Sequence, residues 1–118
     1  MKDEDLSATA ARQAAYARVD QLLPFAQELM AIRRHLHQHP ELAFEEHGTS
    51  DFIANKLEAW GYAVTRGIGG TGLVGSLTHG TGTRRLGIRA DMDALPMQEA
   101  TGLAHASCIP GRMHACGH

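Results

Sequence analysis

The sequence ends with Cys116, Gly117 and His118, which place a thiol and an imidazole two positions apart. The glycine between them lets the backbone bend, so that both side chains can face one point. Sulfur and nitrogen donors together suit zinc or a related transition metal, but a catalytic zinc takes about three protein ligands and a structural one four. The pair therefore predicts either part of a metal site or a loop thiol beside a surface histidine.

Two carboxylates, Asp91 and Asp93, follow directly after the apolar run 86–90. Alternate side chains at the end of a strand can reach a common site, where they could bind a metal, orient a histidine ligand or hold a proton. The alternative is an aspartate-rich turn in which Asp93 caps a short helical piece. Spacing alone does not decide between these two interpretations.

Three histidines alternate at His35, His37 and His39. The first and the third are four positions apart and can share a helix face, whereas His37 points elsewhere. They could bind a metal, but a helix end at which cationic histidines favour the dipole explains them better.

Two helices and three strands are expected to position these groups. Apolar residues recur at steps of three and four from Leu22 to Leu36, which predicts a helix over 20–38 that Asp20 caps, with Pro24 in its first turn. Residues 1–18 predict a tail or a frayed helix. A second helix fits 50–60, ending at Gly61, and strands fit 62–66, 73–77 and 86–90.

This element order favours an α/β fold with the chemistry at the strand ends. Three strands are few, so we expect an incomplete sheet with at least one uncovered edge and an uncovered apolar face. Residues 19–118 are expected to form one portion of a larger domain. The expected core consists of Leu29, Ile32, Leu36, Ile53, Leu57, Leu73, Val74 and Ile88.

Composition excludes several classes of function. A formal charge of −2 over 118 residues gives no basic excess for nucleic acid and no polybasic cluster for a membrane surface. The glycine run 67–72 lacks the ending of a phosphate loop and does not open a helix, which argues against a nucleotide site. No apolar run could span a bilayer, the N-terminus is not a secretory signal, and 2 cysteines cannot staple a secreted mini-protein, so a cytoplasmic location is expected.

Longer motifs resemble one family. Segments 34–49, 69–72, 89–96 and 113–118 are similar to the metal-dependent amidohydrolases that include hippurate hydrolases, N-acyl-amino-acid amidohydrolases and auxin-conjugate hydrolases, in the aminoacylase–carboxypeptidase superfamily. The most specific matches are Arg-Ala-Asp-Met-Asp-Ala-Leu-Pro at 89–96 and Met-His-Ala-Cys-Gly-His at 113–118.

The resemblance implies a two-metal enzyme whose two-layer or three-layer α/β catalytic domain is interrupted by a smaller domain that helps to form homodimers. It implies Cys116 and His118 as metal ligands and Asp93 as a supporting acidic residue near the metals, and it leaves the role of Asp91 open. Two divalent ions, Zn, Mn, Co or Ni, are expected in each full-length subunit. The implied reaction is metal-assisted hydrolysis of the amide bond of a small N-acyl amino acid.

The family's pattern continues past the residues present here. A further aspartate, the glutamate pair that contains the general base and the remaining histidine ligands would follow His118. We therefore expect the N-terminal part of such an enzyme, inactive by itself and at most a weak metal binder. A non-catalytic remnant and a small metal-binding or metal-storage module are the competing hypotheses, and the order of the motifs favours descent from the enzyme over the storage module.

Overall fold

The computed structural model describes residues 19–117. The predicted tail over 1–18 and the predicted ligand His118 lie outside the described residues. The chain divides after Arg33 into two compact units. None of the helices within residues 19–117 has the length and apolar character that a bilayer crossing needs.

The first predicted helix is divided by its proline. Val19–Phe25 forms a 3₁₀ helix that contains Pro24, and the α-helix α1 covers Ala26–Gln38. In a helix capped by Asp20, Pro24 would be the first residue whose N–H must bond back to the cap carbonyl, and proline has no N–H to donate. The α-helix therefore begins after the proline, and its end before Pro40 is as predicted.

Helix α2 covers His47–Ala59 and begins before the predicted residue 50. Its cap is remote rather than local, since the carboxylate of Glu41 accepts hydrogen bonds from the N–H groups of Gly48 and Thr49. These N–H groups belong to the first turn and have no partner within the helix. The helix ends as predicted, because Gly61 takes the left-handed conformation, with φ 87°, just after it.

A two-stranded antiparallel hairpin follows, formed by β1, Ala63–Ile68, and β2, Gly72–Ser76. Both strands lie close to their predicted ranges. A bulge between Arg66 and Ile68 shifts the register, and Gly67 there has a φ of 79°. Helix α2 packs on this hairpin.

The third predicted strand, 86–90, is wrong for this structure. Residues 77–90 form neither helix nor strand, and Leu86 and Ile88 are 86% and 87% exposed. An extended segment becomes a strand only when a neighbour accepts and donates its backbone hydrogen bonds. No neighbouring strand within residues 19–117 pairs with this segment.

The predicted core is also wrong in its details. None of its eight members is buried, and Leu29, Val74 and Ile88 are exposed. The buried residues are instead small or polar: Pro40, Glu46, Thr49, Ser50, Ala54, Thr71 and Ala94. The apolar stripes predict which faces of the helices and strands become buried when another element packs on them. The described residues leave much of this apolar surface exposed. Large apolar side chains such as Leu23, Phe44 and Leu86 are accordingly exposed, and the expected uncovered apolar face stays a prediction.

Two of the buried polar residues are paired with each other. The hydroxyl of Thr71 donates a hydrogen bond of 2.6 Å to the carboxylate of Glu46. This bond ties the start of α2 to the turn of the hairpin, and it satisfies a carboxylate that would otherwise be costly to bury. It gives the glycine-threonine-glycine turn at 70–72 a structural role.

Candidate functional site

The two most specific sequence motifs, at 89–96 and 113–118, are joined by the backbone. Leu95 and Met113 form an isolated antiparallel bridge, with N–H to carbonyl distances of 2.9 and 3.0 Å in the two directions. On the other side, Ala94 bridges to Leu42 in parallel, and its N–H donates to the carbonyl of Glu41 at 2.7 Å. The segment that follows Asp93 is therefore held between the residues after α1 and the residues that precede Cys116.

His114 extends this link through its side chain. Its ring hydrogen-bonds to the backbone of Asp93. Its other nitrogen, Nε2, is buried and has no hydrogen-bond partner within the described residues. Burial lowers the pKa of His114 below its ordinary value of 6.5, the charge of nearby His37 lowers it further, and Asp93 opposes both effects. The ring therefore favours the neutral form, in which one nitrogen is unprotonated and can accept a hydrogen bond or bind a metal ion.

A histidine–glutamate pair anchors the middle of the tract 91–117. Nε2 of His37, near the end of α1, donates a hydrogen bond of 2.6 Å to Oε1 of Glu99. The other carboxylate oxygen accepts from the N–H of Ser107. These contacts lower the pKa of Glu99, with the bond from His37 as the largest cause, so the carboxylate stays ionised.

The three histidines at the end of α1 separate as the helical spacing predicts. The ring of His35 stacks on Phe52 at 4.3 Å and lies 4.5 Å from the ring of His39, whose Nδ1 donates to the carbonyl of His35 at 2.7 Å. His37 faces the other way, towards Glu99, with the rings of His105 and His114 at 5.8 and 6.4 Å. The structure thus gives each histidine a packing or pairing role.

The predicted site residues occupy different environments. Asp93 is half-buried beside His114, whereas Asp91 is exposed and pairs with Arg89 at 2.7 Å. Cys116 is exposed and is not in a disulfide. Its predicted partner His118 is not among the described residues, so the assignment of the two as ligands stays a prediction, as does the role of Asp93.

The donor types fit a metal ion, but only as part of a ligand set. A free thiol at Cys116 and a carboxylate at Asp93 are donors that zinc and related ions accept. Within residues 19–117, however, no three histidine, cysteine, aspartate or glutamate side chains form a group that could hold an ion. A complete centre would need ligands in addition to the described residues.

Comparison with known proteins agrees with this architecture. The model of the peptidase family M20/M25/M40 matches residues 87–118. In sequence over this segment and in fold, the chain is similar to members of the M20 peptidase family. A hippurate hydrolase of Campylobacter jejuni is 45% identical over 100 residues, which are 85% of this chain and 26% of that protein. An N-acyl-L-amino acid amidohydrolase of Geobacillus stearothermophilus is 44% identical over 91 residues, 77% of this chain and 25% of that protein.

A solved structure supports the fold directly. The Bacillus subtilis YXEP protein, described as a dinuclear metal-binding peptidase of the M20 family, superposes with a TM-score of 0.74 at 40% identity. The match covers 80% of this chain and 26% of that one. The chain thus spans about a quarter of the length of the M20 relatives it matches, and its mixed helix and sheet structure is the M20 fold over that length.

Sequence reasoning did not single out the groups that hold this site together. Glu99 lies in a tract without periodicity, and His114 was part of a recognised motif without an assigned role. The helical spacing, which turns His37 away from His35 and His39, was the one signal in the sequence that His37 has a partner on the opposite face of α1. That partner is 62 positions away in the sequence, beyond the reach of any local pattern.

Proposed function

We propose that the chain is the N-terminal part of an M20 amidohydrolase that hydrolyses the amide bond of small N-acyl amino acids. The observation that carries this proposal is the bridge between Leu95 and Met113, which brings the two specific motifs together. The names of the hippurate hydrolase and the N-acyl-L-amino acid amidohydrolase among its relatives support the substrate class. We also propose that the protein is located in the cytoplasm.

In this proposal Cys116 and His118 hold a divalent metal ion, and Asp93 supports the site from beside it. The metal, when bound, would supply a Lewis acid and an acidified water for attack on the amide carbonyl. The chain's own contribution is to hold Asp93 against the 113–117 segment through the Leu95 bridge. The ring of His114, bonded to the backbone of Asp93, adds a second restraint on the same approach.

We further propose that these 118 residues alone are inactive. The described residues contain no group of three metal-binding side chains, and the chain spans about a quarter of its relatives' length. A non-catalytic remnant is the alternative, and the exposed apolar residues of 77–90 favour it for the chain when isolated.

The first test determines the nucleotide sequence after codon 118 and assays the activity of two proteins, the 118-residue chain and the longer protein that the reading frame encodes. If the reading frame continues, the longer protein is expected to hydrolyse N-benzoylglycine when supplied with zinc, manganese or cobalt, whereas the 118-residue chain is not. Cys116→Ala in the longer protein should lose metal and activity together, with Cys108→Ala, the other free cysteine, as the matched control.

Two results would contradict the proposal. Hydrolysis by the purified 118-residue chain would show that the later part of the family's length is dispensable. Full activity of Cys116→Ala in the longer protein would instead remove the ligand assignment and leave the family untouched.

A further inference from the structure

We infer that Glu99 is a positioning residue for Cys116. Its carboxylate fastens the tract that leads to the thiol onto the end of α1, and so determines where residues 113–117 lie relative to Asp93. This inference rests on the proposed function, since it concerns the proposed metal ligand.

The carboxylate of Glu99 is the most enclosed charge in the site. Its side chain is 2% exposed and that of His37 11%. Each oxygen has its own partner, with one bonded to the imidazole of His37 and the other to the N–H of Ser107. A charge in this position needs both bonds, because an enclosed carboxylate without partners is strongly unfavourable. The group therefore holds helix and tract together in one arrangement.

Neighbouring bonds make this arrangement continuous up to the bridge at Met113. The N–H of Cys108 donates to the carbonyl of Gln38 at 2.8 Å, one residue after His37. The side-chain oxygen of Gln98 accepts from the N–H of Gly111 at 2.8 Å. The loop between Glu99 and Met113 is thus attached to α1 and to its own start, and Met113 follows directly.

The imidazole of His37 transmits the constraint towards the thiol. While it donates to Glu99, its ring lies 6.4 Å from the ring of His114, which is two residues before Cys116. Without the carboxylate, the ring of His37 loses its partner and the amide of Ser107 loses its acceptor. Both changes loosen the approach to Cys116 and leave the thiol itself unaltered.

An ion pair on the same tract provides a contrast. Arg112 pairs with Glu45 at 3.0 Å, but these side chains are 34% and 55% exposed. Exposed pairs of this kind contribute little, because water screens the charges and two flexible side chains must be held. Glu45→Gln is therefore the matched control, as it removes a glutamate that contacts the same tract without removing an enclosed anchor.

The test uses the cobalt(II) ion as a probe of the 118-residue chain. Its thiolate-to-cobalt charge-transfer absorption reports bonding to a cysteine, and titration gives the affinity. Glu99→Gln is expected to weaken cobalt binding by about tenfold or more, the usual effect of removing a group that orients a ligand. Glu45→Gln is expected to leave the affinity and the band unchanged.

Thr71→Val separates positioning from stability. It removes the buried bond to Glu46 in the hairpin turn and is expected to lower the unfolding midpoint without moving the cobalt band. If Glu99→Gln loses its helical circular dichroism, Glu99→Asp is titrated instead. That variant keeps the charge, but its carboxylate is one methylene too short to serve both partners, so weaker binding is again expected.

The outcomes distinguish the two proposals. If the native chain and the folded Glu99 variant show the same band intensity and the same cobalt affinity, the positioning role alone is overturned. A comparable loss in Thr71→Val also overturns it, since general destabilisation would then explain the effect. No charge-transfer band in the native chain, with cobalt in sufficient excess to saturate weak binding, overturns the ligand assignment of Cys116, and the positioning role with it.

Discussion

Two neighbouring stretches of this chain lack regular secondary structure and yet differ sharply. Every residue of 77–90 is exposed. The next stretch, 91–117, contains buried Ala94 and a half-buried group around His105, Met113 and His114. Both contain three glycines and several polar residues.

The difference lies in where the backbone polar groups find partners. In 91–117 the N–H groups of Ala94, Leu95 and Cys108 donate to carbonyls distant in the sequence, and the carboxylate of Glu99 accepts hydrogen bonds from His37 and from the N–H of Ser107. A stretch without helix or strand can therefore be held in place when its polar groups are bonded elsewhere in the fold. The stretch 77–90 has the β-forming residues but no adjacent strand within residues 19–117, so its apolar side chains stay in water.

The strongest test of this contrast introduces the same charge into both stretches. Ala94→Asp places a carboxylate at a buried position and is expected to lower the free energy of unfolding by about 3 kcal/mol or more. Ala90→Asp makes the same change four residues earlier at an exposed position and is expected to shift it by less than about 0.5 kcal/mol. Urea unfolding followed by the fluorescence of Trp60 measures both. Equal effects would show that the two stretches do not differ in burial.

Acid should weaken two carboxylate anchors, the cap of α2 by Glu41 and the attachment of the 91–117 stretch to α1 by Glu99. The pKa values of Glu41 and Glu99 lie below their ordinary value of 4.5, although burial alone would raise them, because hydrogen bonds favour the ionised forms. A lowered carboxylate pKa contributes stability that is fully present above the ordinary pKa and is lost as the pH falls through the folded value. The urea midpoint should therefore decline below about pH 4.5.

The control for the acid effect is the pair of variants Glu41→Gln and Glu99→Gln, in which the midpoint should vary less over the same range. His114 adds an earlier component, since its lowered pKa makes protonation unfavourable to the fold as the pH falls below 6.5. A midpoint that declines equally in the native chain and in both glutamine variants would assign the acid effect to other groups.

The smallest expected effect on stability concerns the exposed stretch. Ile88→Ser should leave the free energy of unfolding within about 0.5 kcal/mol of the native value. It should nevertheless reduce self-association, because Leu86 and Ile88 present apolar side chains on an unpaired extended segment. Sedimentation velocity over a range of concentrations measures this, with Thr83→Ser as a control in the same stretch. Undiminished association of Ile88→Ser would place the contact elsewhere.

Local signals were sufficient for the elements that local contacts build. The spacing around Leu57, the terminator Gly61 and the glycine turn at 67–72 correctly predicted α2 and the hairpin within a few residues. The strand at 86–90 failed because the sequence of a strand does not contain its partner. The remote cap by Glu41 moved the start of α2 for a similar reason.

For the candidate site, the family resemblance located Asp93 and Cys116, and their roles stay predictions. The contacts that hold the two motifs together could not be predicted, because they are single bonds between residues far apart in the sequence. A half-buried histidine–glutamate pair such as His37 and Glu99 leaves no periodic pattern in the sequence. The two residues are 62 positions apart, and only the tertiary fold brings them together.

Glu41 has a consequence for the order in which the chain assembles. Its side chain closes loops of 7 and 8 residues when it caps α2, whereas its carbonyl closes a far longer loop when it accepts the N–H of Ala94. Closing a longer loop costs more chain entropy, and contacts distant in sequence form more slowly. We therefore expect that one residue takes part in an early step and a late one, and that the helix is capped before the tract that leads to the thiol is held in place.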